Sequence, residues 1–296
     1  MTNTFKKALV SGTPQIGLWL SMASPLAADA VSRLGYDWLL CDTEHAPLEV
    51  SGALSVLQAA DSRTHVVVRP AWNDKVLIKR HLDQGATTLL IPFVETEEEA
   101  RAAVSATQYP PAGLRGVAGA TRASGFGTTA GYLENAADGL CVILQIETGN
   151  ALAQLEGIAG TEGVDAVFIG PSDLAASLGH LGNPGHPEVQ AAIAARVDAF
   201  ARRTGYRYGF LAVDRLADED RFGAAGMAAW DLGTPAIVAS IEQRDVQIVG
   251  DEALAYMEDT RNRIAGETAD YFNRGEFEAG VNHALEQIEA SWSSEG

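Results

Sequence analysis

The chain has 296 residues, 47% of them apolar, enough to bury one large core or two small ones. Its 39 acidic and 21 basic residues leave a net charge of −18, which argues against nucleic acid and anionic membrane as partners. No apolar run reaches transmembrane length and no apolar signal core follows the N-terminus, so a cytoplasmic protein is expected. Cys41 and Cys141 lie inside apolar runs, outside any CxxC or Cys/His zinc spacing, and read as buried free thiols of a reducing compartment.

Short β-rich runs alternate with Ala-rich amphipathic stretches. Strands are expected at 16–22, 38–45, 65–72 and 88–95, with helices over 25–34, 48–60, 74–84 and 96–107. Four more strands are expected at 141–148, 166–173, 208–213 and 226–233, with helices at 149–160, 187–203 and 215–223. Eight strand–helix alternations predict an α/β fold, a (β/α)8 TIM barrel over 1–235. A doubly wound sheet is the competitor, disfavoured because no GxGxxG follows the first strand. The Gly/Pro-rich stretch 108–140 interrupts the rhythm and reads as a functional loop on the carboxyl face. Residues 236–296 read as a C-terminal helical extension. Its stripe of Phe277, Val281, Leu285, Ile288 and Trp292 would cover its own barrel or a neighbouring subunit.

In a parallel barrel the strand ends gather the chemistry. Polar residues at those ends are Asp42, Glu44 and His45 on the second strand, Arg69 on the third, Gln145 and Glu147 on the fifth, and Ser172 and Asp173 after the sixth. Glu147 and Asp173 sit one strand–helix–strand step apart, so a parallel sheet sets them side by side. Such a carboxylate pair suits Mg2+ or Mn2+, with helix N-caps as the plainer alternative. Arg69, inside an apolar run, needs an anion: Asp42 or Glu44, or a substrate oxyanion held by its fork. His45 follows a strand directly between acids and is the base candidate. Asp83 either orients His45 or ends a helix at the surface. No lysine stands at a strand end, so imine chemistry is not expected.

Several segments carry a family resemblance: GLWLSM (17–22), DWLLCDTEHAP (37–47), VVRPAWND (67–74), LDQGATTLLIPFV (82–94), YPPAGLRGV (109–117), VILQIET (142–148), GVDAVFIGPSDLAASLG (163–179) and GNPGHPEV (182–189). Across about residues 5–235 the chain resembles the HpcH/HpaI aldolases, metal-dependent hydroxy-oxo-heptanedioate aldolases of the class II pyruvate type. The resemblance implies a lyase joining pyruvate and an aldehyde reversibly through a metal-stabilised enolate. It implies a divalent metal on Glu147 and Asp173 (Mg2+ or Mn2+, with Co2+ or Zn2+ as alternatives) and enolate stabilisation by Arg69. It further implies a His45–Asp83 dyad for proton transfer, and substrate contacts from Asp42, Gln145, Gly170, Pro171, Ser172 and Asp173. The family assembly is a homo-oligomer, a hexamer built as a trimer of dimers. The chain departs from the family pattern at 116–125, in a loop expected to shape the aldehyde pocket, and in its eighth strand and longer tail.

Two rivals share these residues. A metal-dependent acyl-CoA lyase of the citramalyl or malyl type needs a basic groove for the nucleotide. A non-catalytic barrel predicts ligand binding without metal.

Overall fold

The computed structural model describes residues 3–11, 15–60 and 63–198, three short strands beyond them (210–213, 236–240 and 245–249), and the single positions 267, 274, 283 and 287. The chain divides into two compact units, residues 1–206 and 207–296.

Unit one opens with helix α1 (Thr4–Ser11) and then alternates strands with helices. Strands β1 (Gln15–Leu20), β2 (Trp38–Asp42), β3 (His65–Arg69), β4 (Thr88–Ile91), β5 (Cys141–Ile146) and β6 (Ala166–Ile169) lie in sequence order, each parallel to the last. The result is the parallel six-stranded sheet of a half-barrel. Between them run α2 (Pro25–Val31), α3 (Val50–Ala60), α4 (Lys75–Asp83) and α5 (Glu97–Thr107), then α6 (Tyr132–Asn135), α7 (Gly149–Ala153) and α8 (Leu155–Ala159). Helices α9 (Pro171–Ser177) and α10 (Pro187–Ile193) follow β6, and a π turn ends this stretch.

Strands β2, β4 and β5 are buried from end to end, as expected for strands covered on both faces. The helices start where their sequences cap them. Asp74 accepts hydrogen bonds from the Val76 and Leu77 amides to open α4. Thr96 and Glu99 close a reciprocal capping box on α5. The expected helix 149–160 is broken into α7 and α8 at Gln154.

Two expectations change. Residues 108–140 follow the end of α5 and lead into the start of β5, so they occupy the amino edge, not the carboxyl face. Arg122 donates to the carbonyl of Gln84, which ends α4, and Asn3 donates to both Thr87 and Gly139. A helix crossing back over a parallel sheet delivers the chain to the amino edge, so this loop cannot line the carboxyl-edge site of its own chain. In unit two, β7 (Phe210–Val213) falls within an expected strand. Strands β8 (Ala236–Ser240) and β9 (Asp245–Val249) pair antiparallel where helix was expected. Glu267, His283 and Gln287 are helical. The expected helix 215–223, strand 226–233 and stripe residues Phe277 to Trp292 lie outside the described residues. Among the described residues no helix is long and apolar enough to cross a membrane.

The core of unit one is built around Trp38, wholly buried and in edge-on contact with Phe5 and Trp19. The Trp38 ring lies against Gly17 so closely that a β-carbon there would sit 1.9 Å from it. Gly17→Ala must displace a packed indole, and a loss of about 1–3 kcal/mol is expected in urea unfolding. An unchanged midpoint would show that the contact yields freely.

Candidate active site

Parallel pairing brings the carboxyl ends of β2 to β6 to one edge, and the register decides what meets there. Asp42 and Arg69 are direct partners across β2 and β3. Arg69 grips Asp42 with two parallel bonds, Nε to Oδ1 at 2.9 Å and Nη2 to Oδ2 at 2.7 Å. Both side chains are buried. A bidentate pair of this kind supplies the anion that a buried guanidinium requires. The third nitrogen, Nη1, lies 3.0 Å from Glu44 Oε2, close enough to pair though not aligned as a hydrogen bond. Trp19 completes the pocket from β1: its indole N–H donates to Asp42 Oδ2, and its ring lies 5.0 Å from the guanidinium carbon. Burial alone would raise the Asp42 pKa, but the hydrogen bonds and charge of Arg69, with the Glu44 and His45 amides, hold it below the usual carboxylate value. Of the two alternatives for Arg69, the carboxylate pairing is the one present, and it engages both acids.

Glu147 stands one residue beyond β5 and is 1% exposed. Its Oε1 accepts the Phe93 amide at 2.7 Å, and its Oε2 accepts the Gln145 side-chain amide. Phe93 presents that amide from a left-handed backbone conformation, φ +51°, uncommon for a residue with a β-carbon. Its ring stacks on Trp72 with centroids 5.0 Å apart. Next door, the Gly170 amide donates to the Ile146 carbonyl, carrying the β5–β6 pairing to the edge. A β-carbon at Gly170 would sit 2.8 Å from Gln145 Nε2 and from Glu147 Oε2, so only glycine lets the backbone pass. Three residues on is Asp173, in the first turn of α9. The helix-cap alternative does not hold for Glu147, because Thr148 caps α7. Nor does it hold for Asp173, because Gly170 occupies the cap position of α9.

The charge at this edge is unbalanced. Asp42, Glu44, Glu147 and Asp173 face one guanidinium that two of them already share. Burial is the largest influence on Glu147 and raises its pKa to about 7, with Glu44 and Asp173 adding to the rise and the Phe93 amide and Arg69 opposing it. Glu44 is also raised, first by burial, against Arg69 and His45, with Asp42 and Asp173 adding to the rise. Glu147 and Glu44, raised first by burial and then by neighbouring acids, belong to a buried oxygen donor set that fits a hard divalent cation. Gln145, also buried, leaves its Oε1 without a hydrogen-bond partner beside them.

His45 is 63% exposed at the same edge, its Nε2 3.8 Å from Glu44 Oε2. Asp83 is elsewhere. It is the last residue of α4, about 13 Å along that helix from its start at the carboxyl edge, and its carboxylate accepts from Arg115 at 2.9 Å. The structure does not bring His45 and Asp83 together within one chain. Sequence reasoning did not single out Trp19, Phe93 or Arg115. Arg115 is 1% exposed, donates to Tyr132 and lies over the Tyr109 ring, pinning the 108–140 loop at the amino edge. Its signal was one of two arginines in a Gly/Pro-rich segment, which spacing alone does not distinguish from a surface residue.

A family model described as HpcH/HpaI aldolase/citrate lyase matches residues 15–239. The chain is 54% identical over 215 residues to a hydroxypyruvate/pyruvate aldolase of Sagittula stellata, spanning 72% of this chain and 84% of that protein. It is 55% identical over 195 residues to a 4-hydroxy-2-oxo-heptane-1,7-dioate aldolase of Klebsiella pneumoniae, spanning 65% and 74%. Among solved structures, an HpcH/HpaI aldolase/citrate lyase family protein from Burkholderia cenocepacia superposes with TM-score 0.71 at 39% identity, covering 89% of this chain and 98% of that one.

The raised Glu147 pKa carries a stability consequence. The folded chain holds this proton up to about pH 7, while an unfolded chain releases it near the ordinary value of 4.5. The folded state therefore binds more protons between these values, and metal-free protein loses stability as pH rises through that window. The shift corresponds to about 3 kcal/mol. Glu147→Gln removes the buried charge, so in chelator-treated protein it should be the more stable form at about pH 8, by roughly 2–3 kcal/mol. That difference should vanish below about pH 5, as read by urea unfolding across pH. A difference independent of pH would mean that Glu147 is not the group titrating.

Proposed function

The chain belongs to the HpcH/HpaI aldolase/citrate lyase family, and from that premise we propose that it is a divalent-metal-dependent lyase. It interconverts a 4-hydroxy-2-oxo acid with pyruvate, or a close 2-oxo acid, and an aldehyde. The observation that carries this reading is the surplus of buried carboxylates around the single guanidinium of Arg69. Relatives named as aldolases of pyruvate, hydroxypyruvate and a 4-hydroxy-2-oxo diacid support the reaction class.

Glu147 and Asp173 would hold the cation, Mg2+ or Mn2+ by their all-oxygen chemistry. When bound, it supplies Lewis-acid polarisation of the 2-oxo group and a template for the oxo acid. Everything else falls to the protein. Arg69 commits Nε and one Nη2 hydrogen to Asp42. Nη1 lies beside Glu44, and the N–H groups that neither acid takes are left to stabilise negative charge growing on the oxo oxygen. Asp42 and Trp19 keep that fork fixed, so little reorganisation is needed as charge develops. The oxo acid's carboxylate would meet the first turn of α9. Gly170 N–H is committed to Ile146 and Pro171 has none, so Ser172 and Asp173 supply the free amides there. Gln145, its amide on Glu147, fixes that carboxylate's orientation. His45 takes and returns the proton, from the pyruvate methyl in one direction and the 4-hydroxyl in the other. Glu44 lies beside it, its Oε2 3.8 Å from the His45 Nε2.

In the same reading the half-barrel is part of an eight-stranded barrel over 1–235, with 236–296 as an extension that packs on a neighbouring subunit. Asp83 and the 108–140 loop stand at the amino edge. A His45–Asp83 dyad therefore needs a second subunit, which favours a homo-oligomer, a hexamer as a trimer of dimers.

Proton NMR of pyruvate in D2O tests the reading without knowledge of the aldehyde. Methyl signal should disappear only with protein and added Mg2+. Arg69→Lys keeps the charge but not the fork, and a loss of about 100-fold or more in exchange rate is expected with circular dichroism unchanged. Metal-independent exchange, or wild-type exchange in Arg69→Lys, would overturn the assignment.

A further inference from the structure

A second group of donors lies away from the carboxylate edge. The connection from α9 to α10 carries His180 and His186, and α10 contributes Glu188 from its first turn. Donor atoms of these three side chains lie within 4.8 Å of one another, and among the described residues this is the one such group of three. His180 Nε2 is 2.8 Å from Glu188 Oε2. The two imidazoles stack face to face with centroids 3.6 Å apart. The two histidines are half-buried, while Glu188 is exposed and reaches back to them.

Three features make this more than a polar turn. Five residues of Gly, Pro, Leu and Asn separate the histidines, and local turns bring the rings back together. The Asn183 amide donates to the His180 carbonyl, the His186 amide donates to the Asn183 carbonyl, and the Gln190 side chain donates to Pro184. The donor set is also of another kind from that at the carboxylate edge: two imidazoles and one carboxylate, not oxygen alone. Finally, the cluster is neither spent on the fold's main sheet nor used by the proposed reaction.

We infer that His180, His186 and Glu188 form a binding site for a borderline transition-metal dication, Zn2+ or a close relative such as Co2+ or Ni2+, distinct from the carboxylate site. Imidazole nitrogen favours these ions over Mg2+, whereas the all-oxygen edge accepts Mg2+ readily. Binding requires a local exchange of partners. His186 Nδ1 now accepts the Glu188 backbone amide at 3.2 Å, which leaves the ring proton on Nε2. Ligation by either nitrogen gives up that cap bond: Nδ1 by direct replacement, Nε2 by moving the ring proton to Nδ1. The stacked rings must tilt apart so that both lone pairs converge on one ion, and solvent fills the remaining positions. The bound ion would tie the α9–α10 connection to the first turn of α10. Ligation needs both imidazoles in their neutral form.

The test is Zn2+ and Mg2+ binding to the full-length, metal-stripped protein by isothermal titration calorimetry, with Co2+ visible absorption as the readout of ligand type. Wild-type protein should bind one equivalent of Zn2+ that Mg2+ does not displace. Glu147→Gln should retain it, which separates this site from the proposed catalytic metal. His180→Ala and His186→Ala should each weaken it at least tenfold and abolish the nitrogen-ligand Co2+ spectrum. Glu188→Gln, which keeps shape and hydrogen bonding, should weaken it without altering the fold. Should an alanine variant fail to fold, the wild-type Co2+ spectrum recorded with saturating Mg2+ still decides, since it must show nitrogen ligation. Absence of any Zn2+ binding in saturating Mg2+, or Mg2+-resistant Zn2+ binding that survives loss of both histidines, would overturn the proposal.

Discussion

A guanidinium buried at the end of a β-strand is tolerable only if anions are built around it, and much of the active edge follows from that requirement. Arg69 ends β3, its register partner Asp42 ends β2, and Glu44 lies within pairing distance of the third guanidinium nitrogen. The indole of Trp19 seals one side. Below, Thr43 donates its hydroxyl to the Arg69 carbonyl, and wholly buried His81, its pKa pushed down to about 4 by burial, lies against that hydroxyl. A neutral imidazole is the form such a site can hold without another counter-charge. Once this block is in place, Glu147 just past β5 and Asp173 in the first turn of α9 have no ion-pair partner among the described residues. The edge is thus short of positive charge among the described side chains, the feature on which the proposed cation site rests.

The comparison between sequence and structure turns on which signals are local. Parallel strands announce themselves as continuous apolar runs, so the buried β2 to β5 and the half-buried β6 fall inside their expected ranges, with the chemistry at their ends. Register was also within reach. Once adjacent strands are known to be parallel, Asp42 and Arg69 must neighbour one another. The cap assignments of Glu147 and Asp173 were resolved only by seeing Thr148 and Gly170 in the cap positions. Phe93 was invisible because its contribution is a backbone amide in an uncommon conformation, which its side chain does not advertise.

The misreading of 108–140 has a different origin. Glycine and proline content marked it as a loop, but composition says nothing about which edge of a sheet a loop occupies. That follows from counting crossings: a strand leads to the carboxyl edge and the following helix returns to the amino edge. Asp83 is governed by the same count, since it closes α4 and is held by Arg115. Its separation from His45 follows from the chain path, whatever the two residues do in an assembled oligomer. In the C-terminal ninety residues, the antiparallel pairing of β8 and β9 was lost beneath a helical stripe that begins much later.

The amide of Phe93 separates two things that usually travel together. The contact to Glu147 depends on the peptide plane and on the left-handed turn at position 93. The ring depends on neither, and is spent on Trp72. Glycine and asparagine adopt that backbone more easily than phenylalanine does. Position 93 therefore offers an engineer an unusual freedom: the side chain stacked on Trp72 can be cut down or exchanged while the peptide that steadies the Glu147 carboxylate stays where it is. In most enzymes the lining of a pocket and the anchoring of its reactive groups are entangled, and here the backbone has pulled them apart.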